Sequence, residues 1–340
     1  MSCLWRWIDV HDGSGVDEKV SPMHEGKRNS GTLLDIEWVN SIRINRSALI
    51  RRAANLPARR AVKNEHQIAW MLQAIRCIDL TTLAGDDTPA RVKRLAKKAI
   101  RPIRSDLLSA LGLKAGRIHC ASVCVYHNLI DAVTDSLNGS SVNTCAVSSG
   151  FPAGQISHEE KLHQIKASVA AGADEIDIVI SRALVLAGDW QSLYEEIKDF
   201  REACGDAHLK TILATGELAT LRQIAQASIV CMSAGADFIK TSTGKEKTNA
   251  TLPVGLTMVR MIREYAERSG NIVGFKPAGG ISKAKVAVQW LAMMKEELGD
   301  EWMQPNLFRI GASSLLGDIE RQLEFHLSGR YSAANRHPMA

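Results

Sequence analysis

Three ionisable residues stand inside otherwise apolar runs of this 340-residue chain. They are Asp177 in Glu175-Ile-Asp-Ile-Val-Ile180, Lys240 in Asp237-Phe-Ile-Lys-Thr-Ser242 and Lys276 in Gly274-Phe-Lys-Pro-Ala278. Side chains alternate along a strand, so Phe238, Lys240 and Ser242 share one face, and Asp177 points away from Ile176 and Ile178. A charged lysine is expensive to bury, so either its head escapes to solvent or the site uses a neutral amine. Two lysines facing one interior from neighbouring strands repel. Each lowers the other's pKa and burial lowers it further, which yields a free amine near neutral pH that can attack a carbonyl. Asp177 would partly offset the charge and could pass a proton. The competing reading is a buried lysine–aspartate salt bridge, against which the second lysine argues.

The loops that follow favour chemistry on an anion. Gly244-Lys245, Gly279-Gly280 and Gly311-Ala-Ser-Ser314 bring backbone N–H groups, hydroxyls and one lysine into consecutive loops, a composition that suits a phosphate. Asp79 is placed to hydrogen-bond a substrate hydroxyl or to orient a lysine, with a purely structural part at the barrel mouth equally open. Cys124 reads first as a small core hydrophobe. Glu217 is either a mouth residue or a helix-start acid, and His119, His158 and His163 read as structural.

Elements able to hold these groups recur from about Ile75 to the end. Strands are expected at Ile75–Thr81, Ile118–Tyr126, Asn143–Ser148, Glu175–Ile180, Leu209–Thr215, Asp237–Ser242, Ile272–Ala278 and Leu307–Ala312. Helical patterns separate them. One starts at Thr88-Pro89, one at the capping-box spacing Ser157-His-Glu-Glu160, and others cover Trp190–Cys204, Thr220–Ala234, Val254–Arg268 and Lys283–Leu298. Eight strand–helix repeats in about 250 residues predict an α/β fold, a closed (β/α)8 TIM barrel with an N-terminal helical extension. Near-continuous apolar strands fit parallel pairing, and no Gly-x-Gly-x-x-Gly follows an early strand. Chemistry then belongs at the C-terminal ends of the strands. The expected division is a partly helical, basic extension over 1–65, the barrel over 66–328 and a flexible tail over 329–340. Within the extension, Asp12-Gly-Ser-Gly15 and Glu25–Gly31 read as loops.

Composition sets the remaining bounds. The chain is 45% hydrophobic and 23% charged, as in ordinary globular proteins. No apolar run nears the roughly 18 residues of a membrane span, and no secretory leader is legible. Seven scattered cysteines without a Cys-x-x-Cys pair point to a reducing, cytoplasmic setting and to no structural zinc. A net charge of +5 suits a small anionic substrate. The basic residues Arg51, Arg52, Arg59, Arg60 and Lys63 read as a solvated helical face rather than a nucleic-acid arm.

Taken together, Ile78-Asp-Leu-Thr-Thr-Leu83, Val123-Cys-Val-Tyr126, Gly150-Phe-Pro-Ala-Gly154, Glu175–Ile180, Ala236-Asp-Phe-Ile-Lys-Thr-Ser-Thr-Gly244, Gly274-Phe-Lys-Pro-Ala-Gly-Gly280 and Phe308-Arg-Ile-Gly-Ala-Ser-Ser-Leu-Leu316 resemble the deoxyribose-phosphate aldolase family of class I aldolases. The resemblance covers about residues 35–330, and the long N-terminus is similar to the animal form. It implies a carbon–carbon lyase that cleaves 2-deoxy-D-ribose 5-phosphate to acetaldehyde and D-glyceraldehyde 3-phosphate. Lys240 would be the Schiff-base nucleophile, Lys276 the second lysine that depresses its pKa and Asp177 the proton relay. Gly244, Lys245, Gly279, Gly280, Ser313 and Ser314 would hold the phosphate, with Asp79, Thr81 and Cys124 as further substrate-contact candidates. It implies no metal and no other cofactor, a small-molecule phosphosugar as partner, neither membrane nor nucleic acid, and leaves a homo-oligomer open. The sequence departs from the family at two places. Shorter forms end in a tyrosine that assists proton transfer, whereas this chain ends in Ala340 with Tyr331 nearest; and His127 stands where a proline is usual. The alternatives are another Schiff-base phosphosugar aldolase, a transaldolase-like barrel, or a non-catalytic binding protein.

Overall fold

The computed structural model describes residues 28–59, 62, 65–114 and 116–337. The loop reading at 12–15 and the start of that at 25–31 lie outside them. Three helices come first: α1 (Ile36–Ser41), α2 (Arg46–Arg59) and α3 (Glu65–Arg76). The repeats open with β1 (Ile78–Thr81), α4 (Pro89–Ile100), α5 (Ser105–Ala110), β2 (Ser122–Tyr126), α6 (Ile130–Leu137), β3 (Asn143–Ser148) and α7 (His158–Ala170). They continue with β4 (Glu175–Val179), α8 (Arg182–Ala187), α9 (Trp190–Cys204), β5 (His208–Ile212), α10 (Leu221–Ser233), β6 (Phe238–Lys240) and α11 (Leu252–Ser269). β7 (Gly274–Lys276), α12 (Ala284–Glu297), β8 (Ile310–Ala312) and α13 (Leu315–Ser328) complete the chain.

All eight strands pair in parallel in the order β7-β6-β5-β4-β3-β2-β1-β8. Parallel bridges Phe275↔Phe308 and Ala278↔Gly311 join the two ends and close the barrel. The expected first strand starts three residues too early. Ile68, Met71, Leu72 and Ile75 recur at helical spacing, so this stretch is the inner face of α3, with Met71, Leu72 and Ile75 buried. β6, β7 and β8 are shorter than expected; β7 stops at Lys276 because Pro277 has no N–H to donate, and Gly279 and Gly280 then turn away at positive φ (84° and 77°). Beyond the ladder single bonds persist, such as the Thr241 amide donating to the Lys276 carbonyl at 3.1 Å.

One layer of core lies between strands and helices. Ile176, Ile178, Leu209, Ile239, Phe275 and Ile310 point outward into it and are fully buried. α10 is buried along its length from Ile224 to Ser233, since α1, α9 and α11 cover it. The N-terminal helices are fastened by polar contacts: Trp38 Nε1 donates to Glu264 at 2.8 Å, and Arg52 forks onto Glu296 and Glu297 at 2.6 and 3.0 Å. At the other end of the chain, Tyr331 stacks on Phe325 of α13 and His337 is buried beside Glu324 at 2.7 Å, so residues expected as a flexible tail are docked as far as 337. Among the described residues no helix is long and apolar enough to cross a membrane.

Gly274 leaves room for the barrel to close at β7. A Cβ there would come within 2.3 Å of the Phe238 ring on β6. Gly274→Ala should therefore cost about 1–3 kcal/mol and lower activity, because the residue sits two positions before Lys276. Thermal melts and turnover of the variant check this; an unchanged melting temperature would show that the ring yields freely.

Candidate active site

The barrel interior holds a compact charged cluster. Strand alternation turns Glu175 and Asp177 of β4, Lys210 of β5, Lys240 of β6, Lys276 of β7 and Asp79 of β1 inward, and Arg309 joins them from the residue before β8. Register sets who meets whom: Asp177 faces Lys210, and Lys240 faces Lys276. Low in the barrel, Glu175 accepts from Arg309 at 2.7 and 3.1 Å, from Asn143 at 2.8 Å and from Lys210. Asp79 holds Arg309 at 2.6 Å and pairs with Lys276. Asp177 sits uppermost. Its Oδ1 accepts from Lys210 at 3.1 Å and Cys145 at 3.2 Å, and its Oδ2 from Lys240 at 2.7 Å and Lys276 at 2.8 Å.

Burial alone would push all these groups toward neutrality, and their mutual contacts reverse it. Asp177 is held well below the carboxylate range: burial raises its pKa, but Lys210, Lys240 and Lys276 outweigh it. Glu175 follows the same logic, with Arg309 and Lys210 overcoming burial. Lys276 corrects the expectation of mutual depression. Burial pushes it down, yet Asp177 and Asp79 together raise it, so it stays an ammonium. Lys210 is likewise raised against burial, chiefly by Asp177. Three carboxylates thus face three fixed cations, Lys210, Lys276 and Arg309, and Lys240 is the fourth basic group among the described residues of this cluster.

Lys240 is also the member that meets open space. A cavity of about 390 Å³ at the C-terminal mouth has Lys240 in its lining, with Thr81, Thr82 and Leu83 after β1. Its rim carries Gly244, Lys245, Gly279, Gly280, Ser313 and Ser314. Among the described residues, the backbone N–H groups of Gly244, Gly279, Gly280, Ser313 and Ser314 donate no hydrogen bond. Positive φ at Gly244 and close approach at Gly279, where a Cβ would strike Asn249 at 2.6 Å, explain the glycines. Asp79 and Cys124, expected at the substrate, are fully buried and outside this lining: Asp79 serves Lys276 and Arg309, and Cys124 packs with Cys145 and Leu83. Tyr331 is remote. Its stacking partner Phe325 lies eleven residues along α13 from Ser314, about 16 Å of helix. Glu217 bonds Arg182 at 2.6 Å between two loops of the mouth.

A family model described as DeoC/LacD family aldolase matches residues 73–319. The chain is 53% identical over 314 residues to the deoxyribose-phosphate aldolase of Homo sapiens, spanning 92% of this chain and 99% of that one. This chain belongs to the DeoC/LacD aldolase family. The deoxyribose-phosphate aldolase of Bos taurus is 54% identical over 312 residues, with 91% and 98% covered. At the level of fold, the structure of a tetrameric deoxyribose phosphate aldolase from Aeropyrum pernix superposes with a TM-score of 0.56 at 21% identity, over 82% of this chain and 99% of that one.

Four residues of this aldolase-family site escaped the sequence reading. Lys210 in His208-Leu-Lys-Thr-Ile212 carries the same signal as Lys240, a cation between an aliphatic residue and a threonine on a strand; Arg309 stands between Phe308 and Ile310, and Glu175 opens the run that holds Asp177. Glu246 carries no such signal. It accepts from the Thr243 amide at 2.6 Å, the Thr243 hydroxyl at 2.8 Å and the Gly216 amide at 3.2 Å, and so buckles the loop after β6 to the loop after β5.

Glu175→Gln would leave Arg309 and Lys210 short of a counter-charge and should cost about 3–5 kcal/mol at neutral pH. The folded-state pKa of Glu175 lies well below its unfolded value of about 4.3, so its stabilisation is complete above that value and fades as pH falls through the folded one. Urea melts across pH should show wild-type stability declining in acid below about pH 4, with a shallower decline in the variant. An equally steep decline in both would assign the acid limb to other carboxylates.

Proposed function

We propose that the protein is a class I aldolase that reversibly cleaves 2-deoxy-D-ribose 5-phosphate to D-glyceraldehyde 3-phosphate and acetaldehyde through a Schiff base on Lys240. The observation that carries this reading is the position of Lys240. It lines the cavity while hydrogen-bonded to a carboxylate, Asp177, that also holds the fixed ammonium of Lys276. Its free amine would attack the C1 aldehyde of the open-chain sugar. The carbinolamine oxygen takes a proton by way of Asp177 and Lys276 and leaves as water, giving a protonated imine. That iminium draws electrons, so deprotonation of the C3 hydroxyl breaks the C2–C3 bond and releases D-glyceraldehyde 3-phosphate. The remaining enamine is protonated at C2, and hydrolysis frees acetaldehyde and the amine. The iminium supplies the electron sink that a metal would otherwise supply, so the proposal includes no metal or other cofactor.

The phosphate would sit against the unoccupied N–H groups of Gly244, Gly279, Gly280, Ser313 and Ser314, with Lys245 on the rim. Glu246 would act at one remove, keeping the Thr243–Lys245 turn in shape. The six described cysteines are all free, which agrees with a cytoplasmic setting.

Borohydride added with substrate should fix a two-carbon adduct on the peptide carrying Lys240, read by mass spectrometry. An adduct on another lysine, or none under conditions of turnover, would overturn the assignment. Lys245→Ala should raise KM for the phosphorylated sugar by about 10-fold or more, as loss of a charged contact does, with a smaller effect on kcat. Glu246→Gln should move KM in the same direction. Steady-state kinetics decide, and an effect confined to kcat in both would remove the phosphate loop from the account.

A further inference from the structure

Cys124 and Cys145 are a pair that the aldol chemistry leaves unused. They face each other in the register of β2 and β3. Adjacent parallel strands run about 4.8 Å apart, inside the Cα separations that a disulfide spans. Both side chains point into the barrel. Their neighbours Val123, Val125 and Ala146 pack in the outer core, while Cys124, Cys145, Val147 and Leu83 form a separate inner cluster. The two sulfurs and an Asp177 carboxylate oxygen lie within 4.8 Å of one another.

The pair also differs from the other buried cysteines. Burial pushes the thiols of Cys77, Cys204 and Cys231 up to about 12. Cys124 is instead lowered: the contact with Cys145, helped by Lys276 and Lys240, outweighs burial and the Asp177 charge. Cys145 is raised by burial and by the same contact. Two thiols in register, with Lys210 donating to one of them at 3.4 Å, have the arrangement of an attacking and a resolving cysteine. Leu83 of the same cluster lines the cavity, and it packs against this buried pair.

We propose that Cys124 and Cys145 are a modification site, oxidised by a small peroxide to a disulfide across β2 and β3 that turns the active site off. The Cys124 thiolate attacks one peroxide oxygen, and the O–O bond breaks to give a sulfenic acid and, with one proton, water. The Cys145 thiol attacks the sulfenic sulfur, its proton leaves with the hydroxyl as a second water, and the S–S bond forms. Two thiols lose two electrons and one hydrogen peroxide gains them. The bond takes away the Cys145 thiol that donates to Asp177 at 3.2 Å and the sulfur that accepts from Lys210 at 3.4 Å. It thereby disturbs the carboxylate that serves Lys240. The loss of activity rests on the aldolase reading; formation of the bond does not.

The test treats the full-length protein with hydrogen peroxide, then blocks free thiols and maps chymotryptic peptides, since cleavage after Tyr126 separates the two cysteines. Expected are a Cys124–Cys145 linked pair with the loss of two hydrogens, a fall in turnover of about tenfold or more in proportion to the linked fraction, and recovery of both with dithiothreitol. Cys145→Ser should form no linked pair and should leave Cys124 as a sulfenic acid that dimedone traps. Peroxide that links other cysteines instead, or none, overturns the proposal, as does a fully linked protein with unchanged turnover. Because the peptide map is read without substrate, a reduced protein that lacked aldolase turnover would count against the aldolase reading, while the map would still decide the thiol pair.

Discussion

Asp177 is the constraint on which the rest of the structure depends. A buried carboxylate is tolerated only when its oxygens are fully engaged, and this one accepts from three lysines and a thiol at 2.7 to 3.2 Å. Those donors arrive from β3, β5, β6 and β7, so the contact exists only when the barrel is closed in its observed register. The cluster below supplies the counterweight. Glu175 and Asp79 bind Arg309, Lys210 and Lys276 tightly enough that each stays charged despite complete burial. Fixed cations lie beneath and beside Lys240, and its amine is the basic group of the cluster that reaches the cavity.

The loops complete what the cluster begins. Chemistry at Lys240 needs a substrate held at its far end, and the turns after β6, β7 and β8 place unbonded N–H groups on the rim of the cavity that Lys240 lines. Those turns are held by side chains outside the cavity lining. Glu246 buckles one loop to another, and Asn249, bonded to the Glu246 carbonyl at 3.1 Å, occupies the space that a side chain at Gly279 would need. The site therefore joins a rigid, charge-balanced floor to a rim whose shape depends on backbone conformation.

Much of this was legible in the sequence, for physical reasons that also mark where legibility stopped. Period-two alternation turned Asp177, Lys240 and Lys276 inward, and the barrel followed from eight apolar runs with helical text between them. The same alternation would have found Lys210 and Arg309, but with no register in hand their partners could not be named, and an inward cation without a partner reads as a strand-end residue. Lack of those partners also misdirected the charge argument. Considered alone, two lysines depress each other, whereas Asp79 and Asp177 beside Lys276 raise it. The first strand was drawn too early because Ile75, Cys77 and Leu80 fit a strand until Ile68 and Met71 reveal the helical period of α3. Glu246 had no signature, since its partners are backbone amides in two loops that only the closed barrel brings together.

The central claim is that Lys276 and Lys210 are ammonium ions fixed by buried carboxylates, while Lys240 is the amine that meets the cavity. Nitrogen-15 NMR of the lysine side chains in the unliganded protein tests it most directly, with Lys210→Met and Lys276→Met for assignment. The account predicts that both ammonium signals persist past the ordinary lysine value of about 10.4. Loss of the Lys276 signal near neutral pH would contradict it.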